Sequence, residues 1–582
     1  MSSYEHATHR PSILGVFALL MTGALVLLSC APAPSARDSA GSTSGTTPPK
    51  TLRMAMQSQN EPASPAMHGG VGAGSPALEH YFIFHGNLTA FDSQRNVVPR
   101  IAEKVPAIDD GDWRILPTGG MEVTWKLRSN VVWHDGTPLT AEDFVFGFQI
   151  IKDPDLAVEN RSDAVANVAE VRAVDANTLV VQWKNQSIFG NVNGNDGVPA
   201  IPRHILGTLY LGGDKAAFDN SPFWNTQWVG LGPYRLGQWA LGSQIEAIAF
   251  DQYYLGRPKI DRLIIRYIGD VNALVANLLS GEIDLIPAGA QLDINQMVAI
   301  RQAWDPTGAG QTLLNTKSVR TLYLQFRDPA APWAQDLRVR QALIHGLNRD
   351  EIVESLLFGL VPRADFYVPP EDPVHGLAEQ RSLPRYPYDL ARAERLLADA
   401  GWTRGSDRMF RNSAGQPIQI DVTASGQGDN VQEAQVVAGH WSAAGFQSSP
   451  TPYPAAAENA AEIRHAMKGG LIWPWNFSVS DPRTVTSAEI GTTATRWRGG
   501  NYGGYVNRTY DGLYEQLANE LSASTRQETL FQMVKVLAEE LPVLPLFYRA
   551  TGLAARKGVE GPTPTPPVQA GSAWNVHTWD VK

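Results

Sequence analysis

Two neighbouring runs, Met121-Glu122-Val123-Thr124-Trp125-Lys126-Leu127 and Trp133-His134-Asp135-Gly136-Thr137-Pro138-Leu139-Thr140-Ala141-Glu142-Asp143, hold a whole strand–turn–helix unit. Met121, Val123, Trp125 and Leu127 alternate with polar residues, the period of a half-buried strand. Gly136 sits in the turn that follows, where positive φ is needed. Pro138-Leu139-Thr140 opens a helix. Thr140 and Asp143 stand at capping-box spacing, and Phe144, Val145, Phe148 and Ile151 supply an apolar face. A strand handing over to a helix is the texture of sheets covered by helices.

The same texture extends in both directions. Upstream, 51–56 alternates as a short strand, 81–88 is an apolar helical or strand element, and 92–96 is rich in turn residues. Downstream, 177–183 reads as a strand. Leu231-Gly232-Pro233-Tyr234 turns into a strand ending near Trp239, with 243–250 as its hairpin partner. A strand at 263–268 and a helix at 271–279 follow, the helix stopping at Ser280-Gly281. From residue 337 the pattern is helical, over 337–347, 349–358 and 390–400, with Gly401 at a C-terminal cap position. A strand at 418–422 and helices at 431–444, 510–522 and 525–540 come next. Residues 541–548 are apolar and Pro-interrupted, the composition of a buried edge or a crossover. No period repeats, and the chain is long enough for at least two lobes.

Composition narrows the function. A net charge of −10 without a basic tract excludes phosphate-backbone binding. No GxSxG elbow, HExxH, P-loop or SxxK is present, so the residues name no catalytic class. Gly70-Val71-Gly72-Ala73-Gly74 lacks phosphate-loop spacing and reads as a loop. His80 and His85 lie five apart, off the spacing that brings two imidazoles onto one helix face. No metal site and no cofactor is expected.

Cys30 is the sole cysteine. It follows an uncharged apolar run from Pro11 and closes the order Leu27-Leu28-Ser29-Cys30, that of a lipoprotein processing site. A short transmembrane helix or an ordinary secretory signal would also fit the apolar run, but neither accounts for the cysteine at its boundary. The expectation is a signal peptide over 1–29 and lipid on Cys30. Residues 30–50, rich in Ser, Gly, Thr, Pro and Ala, then form a flexible tether. The body beyond carries no cysteine for disulfides, and no apolar run of membrane-spanning length.

Nine segments in order resemble extracellular solute-binding protein family 5, the oligopeptide-, dipeptide- and nickel-type receptors of ATP-driven importers. They are the stretch from Leu127-Arg128 to Asp143, Gly232-Pro233-Tyr234, Gly256-Arg257-Pro258-Lys259-Ile260-Asp261, and Ser280-Gly281-Glu282-Ile283-Asp284. Val339-Arg340-Gln341-Ala342-Leu343, Asn348-Arg349-Asp350, Leu396-Leu397-Ala398-Asp399-Ala400-Gly401-Trp402, Tyr510-Asp511 and Leu541-Pro542-Val543-Leu544-Pro545-Leu546 complete the set. The resemblance implies an α/β, two-lobed periplasmic-binding fold of type II, of the larger three-domain kind. One lobe combines 51–86, 222–318 and 545–582, with 87–221 inserted in it as a subdomain. The other runs over 319–544, with hinge crossovers near 318 and 544. It further implies a monomeric, non-enzymatic receptor outside the cytoplasm. Such a receptor closes on a small polar solute, a peptide or an oligosaccharide, and presents it to permease subunits. A surface lipoprotein using the fold for sensing, adhesion or chaperoning is the alternative.

Candidate ligand residues follow by position. Peptide-binding relatives place an aspartate after a Gly-Trp strand to hold the peptide amino group. The matching region here is Trp473-Pro474-Trp475-Asn476-Phe477-Ser478-Val479-Ser480-Asp481. Ser478, at the aligned position, carries no charge, which departs from the peptide pattern. Asp481 is the substitute carboxylate. Trp473, Trp475, Trp497 and Tyr502 are aromatic faces for stacking or core filling, and Arg496 offers a donor fork for a carboxylate. Asn476 lies between the stacking and acidic positions. Gln59 and Glu61 follow the opening strand, where relatives face the cleft.

Overall fold

The computed structural model describes residues 48–57, 76–92, 96–156, 163–194, 197–288, 292–426, 429–457, 460–475, 477, 482–563 and 571–582. The expectations for Cys30, the tether before Pro48, Gln59, Glu61, Asn476, Ser478 and Asp481 fall outside these residues.

The signature stretch folds as its residues dictate. Met121–Lys126 is a strand and Ala141–Lys152 a helix. Gly136 takes φ 88° in the turn between them. The Asp143 carboxylate accepts from the Thr140 backbone N–H at 2.9 Å and from the Arg203 N–H at 3.0 Å. His134 bolts this turn to a second signature segment. Its Nδ1 accepts from the Gly230 N–H at 3.1 Å, so Nε2 carries the proton and donates to the Gly232 carbonyl at 3.0 Å. Gly232 is fixed by close approach: a Cβ there would lie 2.4 Å from the Phe84 carbonyl carbon and 2.5 Å from the His85 nitrogen. The buried face of the helix is wider than its spacing predicts. Phe146 and Ile150 are buried beside Phe144 and Ile151, whereas Val145 and Phe148 are half-buried, because the helix packs against two cores at once.

A ten-stranded sheet organises the body. Its order is Pro450–Tyr453, Val422–Ser425, Gly470–Trp475, Gly310–Leu324, Val543–Arg556, Leu285–Ile286, Thr51–Met56, Arg262–Tyr267, Gln244–Ala249, Tyr234–Ala240. A separate four-stranded sheet runs Trp113–Ile115, Met121–Lys126, Thr178–Trp183, Val168–Asp175, and carries its own core around Trp125 and Trp133.

One reading holds and one shifts. Residues 541–548 hold as a buried edge or crossover: Val543 to Tyr548 is buried and ladders along Gly310–Leu324, with one isolated bridge from Arg363 to Phe547 on its other side, whereas Leu285–Ile286 joins that side only further on, at Ala554 and Ala555. Pro545, which cannot donate to a ladder, is accommodated where the register with Gly310–Leu324 slips, between Arg320 and Thr321. The strand expected over 418–422 begins at Val422 instead and ends at Ser425, with Ile418 and Ile420 buried just before it.

Gly310–Leu324 and Val543–Arg556 join two cores. Their ends near Leu313 and Leu553 pack with Leu52, Met54 and Leu263, and their other ends, at Leu322 and Leu544, pack with Leu343, Val437 and Trp441. A second register slip, between Thr316 and Ser318, falls where the strands pass from one core to the other.

Candidate ligand cleft

Strand direction locates the cleft. Thr51–Met56 and Arg262–Tyr267 run parallel, and Leu285–Ile286 runs parallel to Thr51–Met56. Leu285 pairs with Ala555 and Ile286 with Ala554, antiparallel, so these carboxyl ends point toward the middle of Val543–Arg556. From the other side Val422–Ser425 runs parallel to Gly470–Trp475. Trp475 pairs with Val319, so those carboxyl ends point toward the middle of Gly310–Leu324. Both sets of strand ends converge on one region, around Ser318, Val319, Tyr548 and Arg549. Ligands of open α/β sheets bind outside strand carboxyl ends.

A buried ion pair stands at that convergence. Arg320 Nε donates to the Glu433 carboxylate at 2.6 Å, and its Nη2 donates to the Asn430 side-chain oxygen. The two side chains are 6% and 12% exposed. Glu433 lies in the first turn of the helix Asn430–Ala444, where the positive helix end favours a carboxylate. Residues from both halves of the body also meet beside it, where Asn295 Nδ2 donates to Asp429 at 3.5 Å. Burial, and Asp293 nearby, hold the Asp429 carboxyl above its ordinary range. Tyr267, at the end of its strand, shares a 2.8 Å hydrogen bond with His80 Nε2. Desolvation pushes the fully buried His80 down to about 3, so it meets the phenol as a neutral imidazole.

The sequence-predicted aromatics divide. Trp475 is 2% exposed and packs edge-on to Tyr367 and Phe477, with ring centroids at 5.9 and 5.2 Å. Trp473 is half-buried and meets Tyr502 at 5.8 Å, and Arg464 lies over both rings, 4.8 and 5.4 Å from their centroids. Their π-faces therefore carry a cation of the chain itself. Trp497 reaches the group through His465, which also contacts Tyr502. Arg496 stands apart, exposed beside Arg483, Arg498 and Glu489 around a shallow depression of about 570 Å³. Arg496 and Trp497 take φ of 54° and 60°, so the strain of two consecutive left-handed residues is held there.

Arg320, Glu433 and Arg549 escaped sequence reasoning. The available signal was a charge inside each apolar strand, Val319-Arg320-Thr321-Leu322 and Leu546-Phe547-Tyr548-Arg549. Among the described residues no cluster of His, Cys, Asp and Glu is placed to hold a metal ion, and no helix is long and apolar enough to cross a membrane.

Comparison with known proteins agrees with this architecture. Residues 96–495 match the family described as bacterial extracellular solute-binding proteins, family 5 Middle. The chain is similar to the oligopeptide-binding protein AppA of Bacillus subtilis (strain 168), 23% identical over 95% of this chain and 96% of that one. It is also similar to heme-binding protein A of Haemophilus influenzae, 24% identical over 78% of this chain and 79% of that one. The solved oligopeptide-binding protein of Thermus thermophilus, complexed with a pentapeptide, superposes with a TM-score of 0.63 at 22% identity. That match covers 91% of this chain and 96% of the other.

Proposed function

This chain belongs to the bacterial extracellular solute-binding proteins of family 5, and from that we propose that it is the receptor of an ATP-driven importer, closing two lobes on a peptide and presenting it to permease subunits. The observation that carries the reading is the convergence of two sets of strand carboxyl ends on the strands joining the two cores. The register slips near Thr316/Ser318 and Arg320/Thr321 support a hinge in these strands. Leu544, Leu546 and Phe547 pack in the second core, which favours a crossing at 548–550 rather than at 544. Binding biases closure only by its differential affinity for the closed form.

Peptide is the solute class because a curated relative matched along nearly its whole length is named for oligopeptide binding. The expected result is quenching or enhancement of tryptophan emission by peptides of two to nine residues, with Trp473 and Trp475 near the hinge as reporters. A solute at one hundred times its Kd should raise unfolding free energy by about 2.7 kcal/mol. If neither peptides nor oligosaccharides change emission or melting temperature, the receptor reading fails.

The membrane anchor rests on the lipoprotein order at Leu27–Cys30 alone. Expressed from its natural start, a Cys30→Ser variant should leave the membrane fraction while keeping wild-type peptide affinity. Retention of that variant in the membrane would instead mean an uncleaved apolar segment. Stable anchoring by lipid takes more than one acyl chain.

A further inference from the structure

We propose that Arg549 is an anion-accepting residue of the cleft that receives a carboxylate of the solute, with the Arg320–Glu433 pair as its fixed neighbour. The proposal rests on the cleft reading above and gives one wall of it a chemistry.

Position comes first. Ser318 pairs with Arg549, Val319 with Tyr548 and Arg320 with Phe547, without interruption between the two slips. Residues directly opposite one another share a sheet face, and residues two apart share it as well. Arg549 and Arg320 therefore lie on one face, the face that the helix Asn430–Ala444 covers beside Arg320.

Exposure and partners come next. Arg549 is exposed and directly follows a run, Val543 to Tyr548, that is buried throughout. Its guanidinium makes no ion pair and no hydrogen bond among the described residues, whereas Arg320, Arg340 and Arg349 in the same half are each paired. It is not an ordinary solvated surface arginine. Burial holds its pKa below the usual arginine value, Arg320 pushes it further down, and Glu433 pulls it back. A group that water reaches, yet that protein surrounds closely enough to desolvate, belongs to the wall of a concavity.

The charges then do not balance. Two guanidiniums face one carboxylate, and that carboxylate is held at 2.6 Å by Arg320. One positive charge remains, partly desolvated, on a residue at the convergence of strand ends. Uncompensated charge in such a place is costly, and a ligand anion relieves it. A planar fork with a single excess charge matches one carboxylate in bidentate geometry.

The test uses the full mature chain, its Arg549→Met and Arg549→Lys variants, and trialanine and pentaalanine as free acids and as C-terminal amides. Wild type should prefer an acid over its amide at least tenfold. Arg549→Met should bring that ratio close to one, with Arg549→Lys between. A ratio unchanged by Arg549→Met, or a wild type without preference, overturns the proposal. A second arm stands apart from peptide binding: phenylglyoxal modification of Arg549 in wild type, mapped by mass spectrometry. Modification should be slowed at least fivefold by N-acetylalanine and not by N-acetylalanine amide. If peptides fail to bind but N-acetylalanine protects, the peptide reading falls and the carboxylate site stands. If peptides bind and no carboxylate protects Arg549, the site falls and the receptor reading stands.

Discussion

Glu433→Gln is expected to destabilise the protein by about 3–5 kcal/mol, the usual cost of removing one partner from a buried ion pair. The substitution preserves shape, so no cavity contributes. What changes is charge: Arg320, 6% exposed, loses its counter-ion and is left with neutral amide oxygens as acceptors. Arg549, already unpaired on the same face, then adds repulsion that nothing offsets. An exposed pair would be worth about 0–1 kcal/mol, so the magnitude discriminates between the two situations. Guanidinium chloride unfolding should show a lower midpoint at an unchanged slope. A loss below about 1 kcal/mol would mean that water reaches the pair and that the convergence region is open. The double variant Arg320→Met/Glu433→Leu should recover most of the loss, because it removes both members of the buried pair together.

This pair also marks the limit of what the sequence discloses. The turn at Trp133–Gly136, the cap at Thr140 and Asp143, and the hairpin after Gly232 are local, and each is legible from residues a few positions apart. Family resemblance carried the α/β two-lobed fold, because the nine segments record that local grammar in order. The reading stops where a register decides. Pro545 marks 541–548 as a buried edge or crossover, but only the slip opposite Arg320 shows how the ladder accommodates it. Arg320 and Glu433 lie 113 positions apart, and Arg549 lies further on still, in another strand. Nothing in the chain pairs them before two strands and a helix are in place. The aromatics were legible as a group, yet their partners were not: the cation over Trp473 and Tyr502 is Arg464, from a neighbouring short helix.

Acid should weaken the protein over a defined window, beginning near the ordinary histidine pKa of about 6.5 and well before its carboxylates titrate. Burial lowers His80 to about 3 and His134 to about 4. A histidine with a folded pKa below its unfolded value binds more protons in the unfolded state, so its contribution to stability is complete above about pH 6.5. As pH falls that contribution is lost, and the loss continues until the folded pKa is reached. For the fully buried His80 each pH unit in that interval costs about 1.4 kcal/mol, on the order of 4–5 kcal/mol by about pH 3. His134 adds to the slope down to about pH 4, since protonation would end its acceptance from the Gly230 N–H. Carboxylates held low by partners, such as Asp153 beside Lys215, act only below about pH 4. Unfolding midpoints between about pH 7.5 and 4.5 should therefore fall steeply in wild type and less so in His80→Gln, which keeps a neutral hydrogen-bonding group for the Tyr267 hydroxyl. An equal slope in that variant would remove His80 as the cause.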